Sequence, residues 1–397
     1  MNPSFPIRPE AAQTKVSGIV EVVDYGRLKP GLIPLWVGEG DLSTPAFIAE
    51  AATRSLAAGE TFYTWQRGIP ELRAAIAAYM GRVYGRSFSP DRFTVTIGGM
   101  HAMQIAARLA SGEGDEVIVP TPAWPNFAGA LGVAGARVVE VPMTLSELGW
   151  RFDANEIARA VTKRTRAIVI NSPSNPTGWT ATGEELRAVL ELARDKGLWI
   201  IADEIYGRYV YDDAIAIDGR APSFHDYAQD DDLILYCQTM SKNWAMTGWR
   251  IGWIEAPAAL GQTIENLVQY SSSGVPVFVQ RAAITALEHG ESFVAHQIAR
   301  ARRGREIVYD ALAGIPGLVA PKPPGALYAF FALPGRDARA TAFRLIDEAG
   351  VGLAPGGAFG DNARDCLRLC FARKAEDLEE TMRRLEPVLT EIAGAAA

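Results

Sequence analysis

The most regular feature of the chain is a series of short apolar runs between about residues 90 and 256. They read "RFTVTIG", "DEVIVP", "ARVVEVP", "RAIVINSP", "LWIIADE", "LILYCQT" and "RIGWIEA". Each is rich in Val and Ile and short, the pattern of strands buried on both faces. Amphipathic stretches separate several of them. "HAMQIAARLASG" ends on glycine, and "TGEELRAVLELARDKG" has Thr182 as N-cap, acids in its first turn and Gly197 at its end. Strands alternating with helices predict a mostly parallel α/β sheet with right-handed crossovers.

Beyond about residue 290 the texture changes. A long Arg-rich helical stretch, "FVAHQIARARRGREIVYDALAG", leads to "ALYAFFALPG", a helix at "TAFRLIDEAG", the run "CLRLCFA" and a closing helix. This predicts a smaller α+β domain, which the first 40 or so residues join. The expected division is a large domain over residues 44–290 and a small domain from 1–43 and 291–397.

In sheets of this kind function gathers at the carboxyl ends of the strands. Four runs stop on polar or special residues: Gly98–Gly99, Asn171, Asp203–Glu204 and, after "CQTMS", Lys242. These ends are expected to converge on one crevice.

Composition narrows the function classes. Of 397 residues, 48% are hydrophobic and the formal net charge is −7, which argues against a general nucleic-acid binder. No apolar run reaches the roughly 20 residues that span a bilayer, and "MNPSFPIRPEAAQTK" lacks a secretory pattern. Cys237, Cys366 and Cys370 are odd in number and wrongly spaced for disulfides or zinc, so buried free thiols in a reducing cytoplasm are expected. His101, His225, His289 and His296 form no metal motif. There is no G-x-S-x-G elbow and no complete G-x-G-x-x-G.

The remaining chemistry centres on lysine, which is rare here. Lys163 and Lys196 lie in polar, exposed-looking stretches, whereas Lys242 stands in "MSKNWAMTGWRIGW" with Arg250 eight residues on. Little water and a neighbouring cation should lower its pKa. A neutral amine can attack a carbonyl and form a Schiff base. The local sequence also permits a lysine that extends to solvent.

"SKNWAMTGWRIG", "NSPSNPTG" (Asn171–Gly178), "ADEIY" (Ala202–Tyr206) and "YTWQRGIPELR" (Tyr63–Arg73) together carry a resemblance. From Gly38 to Arg368 the chain resembles the class I/II aminotransferases, the fold-type-I enzymes of pyridoxal 5'-phosphate (PLP). The resemblance implies a large PLP-binding α/β domain, a smaller α+β domain and a homodimer with sites at the subunit interface. It implies Lys242 as the cofactor lysine, Arg250 as the phosphate arginine and Asp203 as partner of the ring nitrogen. Asn175 and Tyr206 match donors to the ring's phenolate oxygen. Gly99, Met100 and His101 match a helix start whose backbone N–H groups face the phosphate. Thr239, and more weakly Ser241, match hydroxyls near that phosphate, and Tyr63 a tyrosine that crosses to the neighbouring subunit's phosphate. Trp124 matches the aromatic stacked on the ring, although a packing tryptophan also fits. Arg368 matches the clamp for the substrate α-carboxylate, where a planar guanidinium offers two parallel bonds. Gly38 matches a backbone donor to the same carboxylate.

The implied reaction is ping-pong transfer of an amino group from an L-amino acid to a 2-oxo acid, with Lys242 as general base. Some bacterial aspartate aminotransferases of the family bind the distal carboxylate with a threonine and a lysine. Ile19 and Met100 correspond to them here. Losing those polar partners should cost roughly a few kcal/mol of selectivity, so apolar or aromatic amino acids are expected over aspartate. Two other readings stay open: a PLP-dependent lyase or synthase on the same scaffold, and a non-catalytic PLP-binding regulator. The second is disfavoured by the acidic charge and by a PLP-type domain that begins almost at once.

Overall fold

The computed structural model describes residues 6–12 and 16–394. Lys15, in the opening segment read above, lies outside the described residues. All seven apolar runs are strands of one sheet. The strands, in chain order, are β1 (Ile33–Pro34), β2 (Phe93–Thr96), β3 (Glu116–Thr121), β4 (Arg137–Pro142), β5 (Thr144–Ser146), β6 (Gly149–Arg151), β7 (Thr165–Asn171), β8 (Trp199–Asp203), β9 (Ile234–Thr239), β10 (Gly252–Glu255), β11 (Tyr328–Ala332), β12 (Val351–Gly352), β13 (Ala354–Pro355) and β14 (Cys366–Cys370).

The large sheet has the order β2-β10-β9-β8-β7-β3-β4. Its pairs are parallel except at β10, which runs antiparallel to both β2 and β9. The run "RIGWIEA" thus turns back from Lys242 instead of crossing over through a helix. A tight turn containing Arg250 replaces the crossover, which keeps Lys242 and Arg250 at the same end of the sheet. The strand centres are fully buried, as their unbroken apolar character requires, except in the edge strand β4, where Val138 and Val139 are half-buried and Glu140 is exposed.

Local signals act as expected along the helices. Thr182 caps Gly183–Lys196 through a reciprocal capping box with Glu185, and Gly197 closes that helix in the left-handed conformation. The helix after β2 spans Gly98–Ala110. It begins three residues before His101, and Gly112 falls two residues beyond its end.

The C-terminal elements form a second, three-stranded sheet, β11-β14-β13, flanked by the helices Glu291–Leu312, Ala338–Glu348 and Ala375–Gly394. Strand β1 pairs in parallel with β12, Ile33 opposite Val351, so the N-terminal segment is built into these elements. Cys237, Cys366 and Cys370 are buried free thiols. Among the described residues no helix is long and apolar enough to cross a membrane, and no cluster of three or more His, Cys, Asp or Glu residues could hold a metal.

Candidate active site

The four strand ends named from sequence do converge. Asn171 closes β7 and Asp203 closes β8, paired in register, and the Asn171 amide donates to the Asp203 carbonyl at 3.0 Å. Thr239 closes β9, and Lys242 follows three residues on. Gly98 and Gly99 begin the helix after β2, and a Cβ built on Gly99 would touch the Thr239 side chain at 3.4 Å.

Lys242 is half-buried, and its amine donates to the Gly38 carbonyl at 2.5 Å. Burial pushes its pKa below the ordinary lysine value, against an opposing pull from Cys370 and Glu39, and Arg368 and Arg250 add lesser pushes downward. The backbone of Lys242 is held too: its carbonyl accepts from the Tyr209 hydroxyl and from the Gln297 amide, each at 3.0 Å. Gln297 lies on the helix Glu291–Leu312, so that helix grips the loop bearing the amine.

Asp203 is buried at 4% exposure and carries no arginine or lysine partner; its carboxylate accepts only a long bond from the Ile205 amide at 3.4 Å. Burial raises its pKa to about 7, with a further push from the adjacent Glu204. A buried carboxylate of this kind calls for a cationic or proton-bearing partner.

Around the helix start, Gly98 has φ +72°, and a Cβ there would lie 2.7 Å from Arg250 Nη2. The Arg250 guanidinium occupies the space a side chain would take, beside the first-turn N–H groups of Gly98, Gly99, Met100 and His101. Those groups have no carbonyl one turn earlier within the helix, so cation and helix start form an anion cradle. Arg250 adopts φ +53° and donates to the Thr247 carbonyl at 2.7 Å. Thr239 Oγ1 donates to Ser241 Oγ at 2.9 Å, so both hydroxyls line one spot. The His101 ring turns away: Nδ1 accepts from the Ile97 amide at 3.2 Å, which leaves the proton on Nε2 for Ser271 Oγ at 2.9 Å. Burial lowers its pKa and keeps it neutral.

Arg368 lies within β14 at 3% exposure. Its Nη1 donates to Asn175 Oδ1 at 2.7 Å and its Nη2 to the Trp36 carbonyl at 2.5 Å, while Nε has no protein partner. The rings of Tyr328 and Phe359 lie 4.6 and 4.7 Å from its guanidinium carbon. The Tyr206 hydroxyl meets that of Tyr328 at 2.6 Å.

Trp124 is half-buried, edge-on to Phe127 at 5.5 Å. Met100 packs on the core and takes the Asn126 amide on its sulfur at 3.5 Å. Ile19, in the helix Gly18–Gly26, packs on the core around β11 and β14. Tyr63 is 96% exposed and stands apart from the cluster described above.

Sequence reasoning missed Tyr328, Trp36, Tyr209 and Gln297. Tyr328 had a signal: a tyrosine inside an otherwise apolar strand, whose hydroxyl needs a buried partner. The others act through backbone carbonyls or from distant segments and leave no local pattern.

The model for aminotransferase class I and II matches residues 30–385. The chain belongs to this family. The aminotransferase is 37% identical to an arginine–pyruvate transaminase of Pseudomonas aeruginosa, over 92% of each chain. It is 35% identical to a probable aspartate/prephenate aminotransferase of Aquifex aeolicus, over 98% of this chain and 96% of the other. Among solved structures, a mutant aspartate aminotransferase of Thermus thermophilus superposes with a TM-score of 0.89 at 34% identity, over 97% and 100% of the two chains. An aromatic aminotransferase of Pyrococcus horikoshii gives 0.85 at 34% identity, over 93% and 99%.

The expected recognition, fold type, enzyme class and cofactor therefore stand. Class I and II aminotransferases use PLP, and the residues present suit it. A depressed amine, a buried carboxylate without a cation, an anion cradle closed by an arginine and an unpaired guanidinium N–H meet in one crevice.

Proposed function

We propose that this aminotransferase transfers the amino group of apolar or aromatic L-amino acids, in preference to aspartate, to a 2-oxo acid. The observation that carries the reading is the character of positions 19 and 100. Ile19 and Met100 are apolar and packed on the core, and neither offers a cation or hydroxyl to a second carboxylate. The relatives' names span arginine, aspartate, prephenate and aromatic substrates, which differ in the group carried beyond the α-carbon.

In this reading Lys242 would hold PLP and Asp203 would pair with its ring nitrogen, with Asn175 and Tyr206 as donors to its phenolate oxygen and Trp124 beside the ring. Its phosphate is received by the helix start at Gly99, Met100 and His101 with Thr239, Ser241 and Arg250. When bound, PLP supplies an electron sink for the substrate Cα. Arg368 fixes the substrate α-carboxylate, with Asn175 orienting the guanidinium and the Gly38 N–H as a second donor. That clamp presents the Cα–H to Lys242. The amine, its hold on a proton weakened by burial, would be placed to take the Cα proton. In the protein without cofactor the Gly38 carbonyl accepts from this amine, which positions Nζ in the crevice.

The functional unit in this reading is a homodimer, with Tyr63 reaching the partner's phosphate. Phe62, Tyr63, Trp65 and Tyr270 are 84%, 96%, 63% and 88% exposed on one chain. A Cβ on Gly274 would lie 3.4 Å from the Trp65 carbonyl, which sets the turn after Tyr270 against the 62–66 segment. Such an aromatic face is an interaction surface. The chain divides in this reading into residues 44–290, and 1–43 with 291–397.

Single-amino-acid half-reactions followed by absorbance test the substrate reading. Leucine, methionine or phenylalanine should convert the cofactor faster than aspartate at equal concentration. A rate with aspartate far above all three overturns it.

A further inference from the structure

Tyr328 belongs to the small sheet, yet it touches three groups that the proposed chemistry uses, Tyr206, Arg368 and Gly38. Its hydroxyl lies 2.6 Å from that of Tyr206. Its ring lies 4.6 Å from the Arg368 guanidinium carbon, because 368 pairs with 330 across β11 and β14 and 328 is the diagonal neighbour on the same face. Its hydroxyl also abuts Gly38, where a Cβ would come within 2.0 Å of it. Tyr328 is fully buried, and so is Tyr206.

Two phenols at this distance share one hydrogen bond, and either can donate. The direction is decided by what stands on the far side of Tyr206. If Tyr206 spends its proton on Tyr328, it has none for an anionic oxygen in the crevice. If Tyr328 donates to the Tyr206 oxygen, the Tyr206 proton is free to point into the site. Tyr328 is the better placed to give. Its other neighbours are the Gly38 backbone, with no bond between them, and a guanidinium over its ring, whose charge makes the phenol a stronger donor. A hydroxyl that accepts one bond is polarised and donates its own more strongly.

We propose that Tyr328 is a positioning residue that donates to Tyr206 and thereby aims and strengthens the Tyr206 hydroxyl toward the phenolate oxygen of the bound cofactor. The proposal rests on the reading of Tyr206 as a cofactor contact. It assigns a role in the proton balance of the site to a strand of the small sheet, and no covalent step is involved.

The consequence is a shift in the pH midpoint of the bound cofactor's visible absorbance. A weaker donor at the phenolate oxygen leaves more negative charge there, so the proton beside Lys242 is held more tightly and the midpoint rises. Tyr328→Phe keeps the ring against Arg368 and removes only the hydroxyl. It should raise the midpoint by roughly 0.3–0.6 unit, the scale of cooperative strengthening in one bond, and leave KM for the amino acid within about twofold. Tyr206→Phe should raise it further, and the double variant should match Tyr206→Phe alone. Tyr211→Phe, which loses the buried bond to the Ala326 carbonyl at 2.7 Å, is the structural control and should leave the midpoint unmoved. If Tyr206→Phe shifts the midpoint and Tyr328→Phe does not, or if their effects add, the relay is refuted while the site reading stands. If neither variant moves it, the assignment of Tyr206 fails and the relay with it.

Discussion

Arg368 Nη1 and Asn175 Oδ1 lie 2.7 Å apart, joining the middle of a small-sheet strand to the loop that follows β7. The same guanidinium donates to the Trp36 carbonyl, so three separate segments fix its plane. Lysine keeps the charge but not the fork. Arg368→Lys should lower kcat/KM for amino acids by about 10²-fold or more, the scale of breaking a buried, hydrogen-bonded charge contact. Steady-state kinetics on the loaded enzyme check this. Cofactor binding should stay within a few-fold.

Asp203 gives a pH prediction for the protein without cofactor. Its carboxyl has an ordinary value of 3.8 and is raised by burial to about 7 in the fold. The folded state therefore binds a proton more tightly than the unfolded state. The resulting penalty on folding is absent below pH 4, grows as pH rises, and is complete above about pH 7. Asp203→Asn should thus raise the unfolding midpoint of the apoprotein at pH 8, with the gain vanishing toward pH 4. The loaded variant should lose kcat by about 10²-fold or more. Thermal melts across pH and a single-turnover assay test the two halves separately.

Gly98 combines φ +72° with a position 2.7 Å from Arg250 Nη2 for any added Cβ. Alanine in that conformation costs about 1–2 kcal/mol, and the clash drives the guanidinium from the helix start. Gly98→Ala should lower the melting temperature by ~2–5 °C. Equilibrium dialysis should show PLP retention weakened at least about 10-fold, the loss of one well-made charged contact. Gly197→Ala, in open space at φ +63°, should cost similar stability and leave retention unchanged.

The aromatic face at Phe62, Tyr63, Trp65 and Tyr270 should be covered in solution. Sedimentation should give a two-chain species, and Phe62→Asp or Tyr270→Asp should raise its dissociation constant at least about 10-fold. Tyr63→Phe should preserve the assembly and weaken only PLP retention. A monomer at micromolar concentration with wild-type sequence would refute the interface.

Much of the fold was legible in the sequence because buried strands on both faces leave uninterrupted Val/Ile runs, and because Thr182 and Gly197 punctuate a helix with side-chain and backbone chemistry of their own. The direction of β10 was not legible: a strand's apolar pattern is the same whichever way it runs, and only the tight turn at Arg250 reverses it. The crevice was legible where residue type carried chemistry, as at Lys242, Asp203 and Arg368. It was not legible where the contact is made by a carbonyl, as at Trp36, or by residues brought in from far along the chain, as with Gln297 and Tyr328.

The loop bearing Lys242 is tethered on both sides, to Gly38 through its amine and to the helix Glu291–Leu312 through its own carbonyl. Both tethers belong to segments outside the large sheet. Any rotation of those segments about the crevice therefore carries mechanical load to the reactive nitrogen itself. In the protein without cofactor, the site's nucleophile and the segments around it are thus one mechanical unit, and a disturbance of either is felt by the other.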